Sequence, residues 1–418
     1  MLSPSQLRSF WQHTVVGLCL SACAFVWRRL MFRTKFIAIT GSAGKTTTAH
    51  CAGAILSAHY STNWTDSYKN SRSHLALQIL STRFHHRFTV IEVGTRDPGA
   101  LRRAAWMIAP DIAVVLTVLG VHTNNFPTLE KVAAEKEQLL SRLGTAGLAI
   151  LNADDALVRD MGTRCRGAVR TFGCADDATL RASEISSIWP RRLSFGVHYS
   201  GESCRVETQL LGEHMATPAL AALAVAVSCG VPLSQAAARL SGVPPFQGRM
   251  QPMMLPNGIT VLRDEFNPSL PTLEAGLKFL RAAEASRRIV ILGDVLDSPL
   301  TVRPRMRDLG RRVAASAELG VFIGTFSKIA VKAASEAGLK QAFACENLRE
   351  AGEFLQRELR PGDLVLVQGW TAHHIERVIL SQTGTIACWI ERCNKFIPCD
   401  ECPQLKLVPL ETCRAAAK

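Results

Sequence analysis

Short runs of consecutive apolar residues alternate with stretches of helical periodicity along most of this chain. Phe36 to Ile39 is the first run, followed by Thr89 to Val93, Ile112 to Thr117 and Leu148 to Leu151. Helical stretches near 45–57, 73–80, 98–108 and 129–143 lie between them. Unbroken apolar runs of this length read as strands buried on both faces. Strict alternation of strand and helix predicts a mostly parallel sheet with helices on both sides. Residues 160–210 are less regular, and a short antiparallel excursion is expected there. Ala216–Cys229 and Leu233–Leu240 read as helices again.

Val243-Pro244-Pro245-Phe246-Gln247-Gly248 is a Pro- and Gly-rich hinge, and a second α/β unit follows it. Its strands are expected near Ile259–Arg263, Arg288–Leu292, Gly320–Ile323 and Asp363–Val367. At the other end, Phe10 to Trp27 is apolar apart from Gln12, His13, Thr14 and Ser21, and Arg28, Arg29, Arg33 and Lys35 follow at once. A stretch of about 18 residues is near the minimum that spans a bilayer. The basic flank on its C-terminal side would leave the rest of the chain in the cytoplasm. The pattern therefore predicts a membrane anchor or surface-lying helix through residues 10–27, on the cytoplasmic face of the inner (plasma) membrane. The alternative is a helix packed on the protein, in the cytoplasm. Residues 1–35, 36–242, 243–385 and 386–418 are the expected divisions: anchor and basic flank, first domain, second domain and Cys-rich tail.

Composition adds two constraints. The 418 residues are 47% hydrophobic, enough to bury a sizeable core, and the formal net charge is +13. That charge suits anionic partners such as nucleotides, acidic substrates or an anionic membrane surface. No basic run with interleaved aromatics argues for nucleic acid. Arg303, Arg305, Arg307, Arg311 and Arg312 form the densest basic cluster and read as a solvated helix face.

The chemistry begins where the first strand breaks, at Thr40-Gly41-Ser42-Ala43-Gly44-Lys45-Thr46-Thr47. Two glycines let the backbone approach a polyphosphate, and the following helix N-terminus adds partial positive charge. Lys45 could reach the β- and γ-phosphates of a nucleotide, and the Thr46 hydroxyl could ligate Mg²⁺. Ile39 occupies the place of the first glycine of the full P-loop pattern, so the match is G-x-x-G-K-T. An ATP-using chain with 13 cysteines, an odd number, points to a reducing compartment rather than a disulfide framework.

Other candidates lie on the same rim. Glu92 ends a hydrophobic strand, where a carboxylate is costly unless solvated, paired or metal-bound. His122 follows the third strand. Lys136, in Glu135-Lys136-Glu137, reads by itself as part of a charged helix face. Asp264 and Asn267 follow a strand and could be turn-formers or nucleotide contacts. In the tail, Cys388, Cys393, Cys399 and Cys402 are spaced C-x4-C-x5-C-x2-C. They could hold a structural Zn²⁺, with free or redox-active thiols as the alternative.

Taken in order, these motifs resemble the Mur ligase family of ATP-dependent amide-forming ligases, most of all its UDP-N-acetylmuramoyl-tripeptide–D-alanyl-D-alanine ligase branch. The likeness covers about residues 36 to 385. The 40–47 stretch resembles T-G-[ST]-x-G-K-[ST]-T, and Glu92-Val93-Gly94 resembles E-M-G. The His122 segment through Lys136 resembles A-H-L…A-K-G-E. Ile150-Leu151-Asn152-Ala153-Asp154-Asp155 resembles V-L-N-A-D-D, Gly248-Arg249-Met250-Gln251 resembles G-R-x-[QE], Asp264-Glu265-Phe266-Asn267 resembles D-S-Y-N, and Leu292-Gly293-Asp294-Val295-Leu296 resembles L-G-D-M-L-E. The fold implied is a P-loop-type, mostly parallel α/β ATPase domain followed by a smaller Rossmann-like α/β domain, with the apolar helix at the N-terminus.

The resemblance implies roles. Gly41, Ser42, Ala43, Gly44, Lys45, Thr46 and Thr47 would bind ATP, joined by Arg249, Asp264 and Asn267 from the second domain as the domains close. Thr46 and Glu92 would hold Mg²⁺, and His122 a second Mg²⁺. Lys136 falls where the family has a lysine that is carbamylated and helps position Mg²⁺. The reaction implied joins a carboxylate to an amine through an acyl phosphate, with small-molecule or peptide substrates of the cell envelope or a peptide polymer. The chain departs from the pattern too. An apolar helix stands where the family has its UDP-sugar domain, Met215 and Pro218 replace two asparagines, Phe266 replaces Tyr, and Gln368 replaces the Lys of K-G-S. These departures motivate an alternative, a nucleotide-binding, catalytically weak scaffold for a partner enzyme.

Overall fold

The computed structural model describes the chain apart from residues 1–3, 65–70, 96, 122–124, 267–268, 296–297, 299, 394, 396 and 410–418. The described residues form two compact units. One comprises residues up to 185 with 194–209 and 215–244; the other comprises 186–193, 210–214 and 245 onward.

The first unit is built on strands β1 (Lys35–Thr40), β2 (Thr62–Trp64), β3 (Phe88–Glu92), β4 (Ile112–Val115), β5 (Leu148–Asn152), β6 (Ala168–Gly173), β7 (Leu180–Ser186), β8 (Ser194–Tyr199) and β9 (Glu202–Glu207). They form one sheet in the order β2-β3-β1-β4-β5-β6-β7-β8-β9. Pairing is parallel from β2 through β7, and β8 and β9 close the edge as an antiparallel hairpin. The expected parallel sheet is present. The region left as irregular contains four strands, whose half-exposed faces dilute the apolar signal that marks β1, β3 and β4.

The helices of this unit are α1 (Pro4–Leu30), α2 (Lys45–Ser57), α3 (Arg72–Ser81), α4 (Ala100–Ile108), α5 (Leu129–Glu137), α6 (Ala156–Met161), α7 (Ala216–Ser228) and α8 (Leu233–Ser241). Alternate strand residues face opposite sides. Phe36, Ala38, Ile91, Ala113, Val115, Ala149 and Leu151 pack with Leu75, Ile79, Leu101, Ala105 and Val158 from α3, α4 and α6. Ile37, Ile39, Val114 and Ile150 are equally buried, on the side of the sheet where α2 and α7 lie. A sheet covered on both sides explains why its strands read as continuous apolar runs rather than alternating ones.

Helix α1 corrects the expectation of a spanning anchor. Its buried positions, Gly17, Ser21, Ala24 and Arg28, continued by Met31 just past its end, recur at helical spacing and face α3 and α4. The Arg28 guanidinium donates to the Ile108 and Ala109 carbonyls at the C-terminal end of α4, at 2.7 and 2.8 Å, and to Asp111 at 2.9 Å. That is the charge a helix C-terminus attracts. The Trp27 indole donates to the Thr82 carbonyl at 3.0 Å, and Phe25 stacks on Trp106 with ring centres 3.8 Å apart. Among the described residues, no helix is long and apolar enough to cross a membrane.

The second unit has strands β10 (Gln251–Met254), β11 (Thr260–Arg263), β12 (Arg287–Leu292), β13 (Leu319–Ile323), β14 (Gln341–Cys345) and β15 (Asp363–Gln368), in the order β10-β11-β15-β12-β13-β14. Only β10 pairs antiparallel. Helices α9 (Leu270–Arg281), α10 (Val302–Ala314), α11 (Ser327–Glu336), α12 (Leu348–Glu358) and α13 (Glu376–Leu380) accompany it. Helices α10 and α11 cross at backbone contact: a Cβ on Gly310 would lie 2.2 Å from the Ala330 carbonyl oxygen. The arginine cluster on α10 is not a uniformly solvated face. Arg305 is buried and grips Asp294 with two bonds of 3.1 and 3.0 Å, because α10 turns Arg305, Met306, Leu309 and Val313 inward together.

Arg28→Ala is expected to lower stability by about 2 kcal/mol, the cost of leaving buried carbonyls without a charged donor. A denaturation midpoint equal to wild type would show that α1 is not docked through this residue.

Candidate functional site

The turn between β1 and α2 is fixed from beneath. Gly44 adopts the left-handed conformation, φ 83°, directly before the helix. A Cβ at Gly41 would stand 2.7 Å from Leu116 Cβ, so only glycine allows the loop to lie on the strand β4 terminus. The segment after β4 then holds the loop. Ser42 N–H donates to the Thr117 carbonyl at 2.8 Å, Ala43 N–H donates to Thr117 Oγ1 at 3.3 Å, and Leu119 N–H donates to Ser42 Oγ at 2.9 Å. Asp155 supports that segment in turn. One carboxylate oxygen accepts from Val118 N–H at 2.7 Å, and the other caps α6 through Leu157 and Val158. The Asn-Ala-Asp-Asp stretch thus acts as a brace. Sequence reasoning missed Thr117, and missed the role of Asp155, although aspartate just before a helical run is an N-cap signal.

Lys45 Nζ reaches back over the loop to the Gly41 carbonyl at 2.8 Å. Thr46 Oγ1 donates to Glu92 Oε2 at 2.7 Å, and both side chains are buried. Parallel pairing makes this meeting: β1 and β3 are neighbours with Ile39 opposite Glu92, so both strands end at one rim. Thr95, just past Glu92, is buried, and its hydroxyl has no hydrogen-bond partner among the described residues. Sequence reasoning had not singled it out.

Lys136 is not on a solvated face. It is 2% exposed, and burial together with the Lys45 charge lowers its pKa to about 7, against the pull of Glu135. Glu135 is committed elsewhere, accepting from Gly99 and Leu101 N–H at 2.8 and 2.9 Å at the start of α4. One helical turn therefore delivers two buried charged residues in two directions. His122 lies outside the described residues. Thr47 is buried in the first turn of α2. Pro218, one of the departures, lies at the loop, with its side chain 3.4 Å from where a Gly44 Cβ would be. The oxygen-rich Thr46–Glu92 pair fits a hard divalent cation, which takes oxygen ligands.

In the second unit, Asp264 follows β11. Its carboxylate accepts from Met250 N–H at 3.1 Å and from the Gln368 amide. Burial raises Asp264 to about 6, opposed by Arg249, Gln368 and Met250. The Arg249 guanidinium lies 5.2 Å from the Phe266 ring centre. Arg249 and Asp264 are thus neighbours, while Asn267 lies outside the described residues. Arg263 bridges Glu265 at 2.6 Å and Asp400 at 2.7 Å, tying the tail to β11.

The expected zinc set is not assembled. Among the described residues, the close group of ligand atoms is His374, Glu376 and Cys399, mutually within 4.8 Å. Hydrogen bonds explain it: Glu376 Oε1 lies 2.8 Å from His374 Nδ1 and accepts from Cys399 N–H at 3.2 Å.

Lys136 carries a pH signature. Its folded pKa, about 7, lies below the ordinary 10.5. The folded state therefore bears the full cost of charging the lysine below pH 7, and that cost fades as pH rises to 10.5. In CO₂-free buffer, Lys136→Met should be more stable than wild type, most so below pH 7, with the gain vanishing toward pH 10.5. Denaturation across that range checks it; a gain independent of pH would contradict the lowered pKa.

Comparison with known proteins places both units in one family. Residues 39–226 match the Mur ligase middle domain, and residues 248–370 match the Mur ligase glutamate ligase domain. The UDP-N-acetylmuramoyl-tripeptide–D-alanyl-D-alanine ligase of Mycobacterium bovis is 29% identical over 360 residues, covering 80% of this chain and 70% of the relative. That of Treponema pallidum is 28% identical over 344 residues, covering 82% and 73%. The crystal structure of MurF from Acinetobacter baumannii superimposes with a TM-score of 0.78 at 23% identity, covering 88% of this chain and 80% of that one. MurF ligase from Thermotoga maritima, in complex with ADP, gives 0.76 at 19%, covering 88% and 83%. With two successive family domains matched in order on the two sheet units, the chain belongs to the Mur ligase family.

Proposed function

We propose that the chain is an ATP-dependent ligase that joins a carboxylate to an amine. The observation that carries this is the meeting of Lys45, the Thr46–Glu92 pair and buried Lys136 at one rim of a parallel sheet. The carboxyl ends of such strands are where ligands bind. Loop 41–47 takes the ATP phosphates, with Lys45 neutralising their charge. Thr46 and Glu92 would hold Mg²⁺, and His122 a second Mg²⁺ on the family pattern. When bound, Mg²⁺ would neutralise charge on the transferring phosphoryl group. Arg249, Asp264 and Asn267 are proposed as further nucleotide contacts on the same pattern.

Chemistry then follows in two displacements. A substrate carboxylate oxygen attacks the γ-phosphorus and ADP leaves. The amine nitrogen attacks the acyl carbon, phosphate leaves, and the amine proton passes to solvent. Positioning and charge neutralisation are the protein's share. An amine with a pKa near 7 has the free lone pair that CO₂ requires, which supports carbamylation of Lys136. The relatives' names supply the first substrate class to test, a UDP-muramoyl peptide with D-alanyl-D-alanine. Other carboxylates of cell-envelope or peptide-polymer synthesis follow. ATP use supports a reaction on the cytoplasmic side of the membrane. The outward apolar residues of α1, Val16, Leu18, Val26 and Leu30, with Phe32 just after it, are exposed near Arg29 and support a peripheral membrane contact.

ADP release by wild type and Lys45→Ala, offered ATP, Mg²⁺ and paired carboxylates and amines, tests the ligase reading. Release should need both substrates and fall at least about a hundredfold in the variant, the scale of losing a charge-stabilising group. ATP binding without release for any pair would favour the scaffold alternative. Separately, the chain should co-sediment with anionic vesicles more than Val26→Glu does; equal sedimentation would remove the membrane contact.

A further inference from the structure

Helix α1 is apolar on two sides, and protein covers one of them. Opposite the positions packed on α3 and α4, Val16, Cys19, Cys23, Val26 and Leu30 recur at helical spacing and are exposed. Phe84 is exposed as well, its ring centre 5.5 Å from that of Trp27. A helix that is apolar all round is ordinarily buried all round. A continuous exposed stripe of this kind marks an interaction surface. Charge identifies what covers it. Helices α1, α3 and α4 contain six arginines and no Asp or Glu. Arg29 on α1, and Arg83 next to Phe84, are exposed. A second copy of this face would set arginine against arginine with no acid to pair, whereas an anionic lipid surface attracts them. Among the described residues no helix is long and apolar enough to cross a membrane, so the geometry suits a helix lying along the surface.

The direction of α1 brings that surface to the candidate site. Gln78 of α3 donates to the Val90 carbonyl of β3 at 2.7 Å, and Thr82, just past α3, meets Thr89 at 3.2 Å. Helix α3 therefore runs antiparallel to β3. Arg72, in its first turn, stands about 9 Å along the helix from Gln78. Glu92 stands about 7 Å along the strand from Val90 in the same direction. The start of α3 is thus level with the rim. Helix α1 runs antiparallel to α3 in turn: Arg72 donates to Ser21 Oγ at 2.9 Å, and Trp27 to the Thr82 carbonyl at 3.0 Å. Ser21 is therefore level with the rim that carries Thr46 and Glu92, and the exposed stripe continues past it to Val16. A surface that covers the stripe lies alongside the rim.

We propose that the carboxylate substrate is carried on a membrane lipid and is presented to the rim from an anionic bilayer on which α1 lies. This inference rests on the ligase reading and leaves its two displacements unchanged. ATP and the amine come from solution, and the carboxylate comes with its carrier. Helix α1 itself stands between the bilayer and the elements it packs on, so the carboxylate must stand off the lipid by at least a helix diameter, about 10 Å. A peptide or sugar–peptide head meets that requirement; a fatty acid or a phospholipid carboxylate does not. An enzyme held at the surface meets such a substrate at high effective concentration. A soluble polyanionic carrier is repelled by an anionic surface and gains nothing from it.

The test follows ADP release with one carboxylate in two forms, each with D-alanyl-D-alanine, ATP and Mg²⁺. One form is UDP-muramoyl tripeptide in solution. The other is the same muramoyl tripeptide joined to a dialkyl phospholipid, in vesicles of phosphatidylcholine and phosphatidylglycerol. At equal bulk concentration the lipid form is expected to give a kcat/KM at least about a hundredfold higher, the low end of the gain from confining partners together. The ratio of the two should fall toward one in Val16→Glu and Val26→Glu. Because such a variant could fold poorly, wild type is also read as the lipid substrate is diluted with carrier lipid at fixed bulk concentration, which should slow it. Equal kcat/KM for the two forms, no response to surface dilution, release from the soluble form alone, or a stable dimer through α1 that vesicles leave intact would each overturn the inference and leave the ligase reading standing. Release from neither form would overturn both.

Discussion

The clamp exerted by Thr117-Val118-Leu119 on the loop between β1 and α2 is the constraint on which the site depends. A glycine loop that is free to collapse cannot present a fixed cradle to phosphate. Here the loop's inner side is bonded to the end of β4, and that end is bonded to Asp155 after β5. Three consecutive strand termini are thus coupled through polar atoms at one rim. The apolar strands beneath supply the rigidity, since each residue of β1 after Lys35 is fully buried. The polar clamp converts that rigidity into a loop geometry.

Electrostatics at the rim is deliberately unbalanced toward positive charge. Lys45 and Lys136 act on each other strongly enough to depress the second, and burial does the larger part. Glu135, which could have neutralised Lys136, is turned to the start of α4. The result is a Lys136 amine close to losing its proton at neutral pH. In the second unit, the neutral amide of Gln368 stands against Asp264 where the family pattern has a lysine. Without that cation, burial holds Asp264 at about 6. This departure therefore alters the electrostatics of the very carboxylate it touches.

Helix α1 shows how an apolar helix can be misread. Its composition suits a bilayer, but its buried spacing suits a protein surface. Arg28 decides between them: a guanidinium bonded to two backbone carbonyls and a carboxylate is placed by protein, not by lipid. A residue read as a membrane-flanking charge is a packing residue.

The sequence by itself determined the two α/β units, the alternation of strand and helix in the first half, the glycine loop with Lys45 and Thr46, and the family. Apolar runs, helical spacing and contiguous motifs are local signals, and each survives without knowledge of neighbours. Tertiary structure alone decided that Glu92 meets Thr46 and that Lys136 and Glu135 leave one helical turn for separate buried sites. It also decided that Asp155 braces a loop 37 residues away, that Arg305 turns inward to Asp294, and that four tail cysteines share a cavity. The physical reason is the same in each case. Burial and partner are properties of strands brought side by side by the sheet, and a charged residue's spacing along the chain carries no record of them.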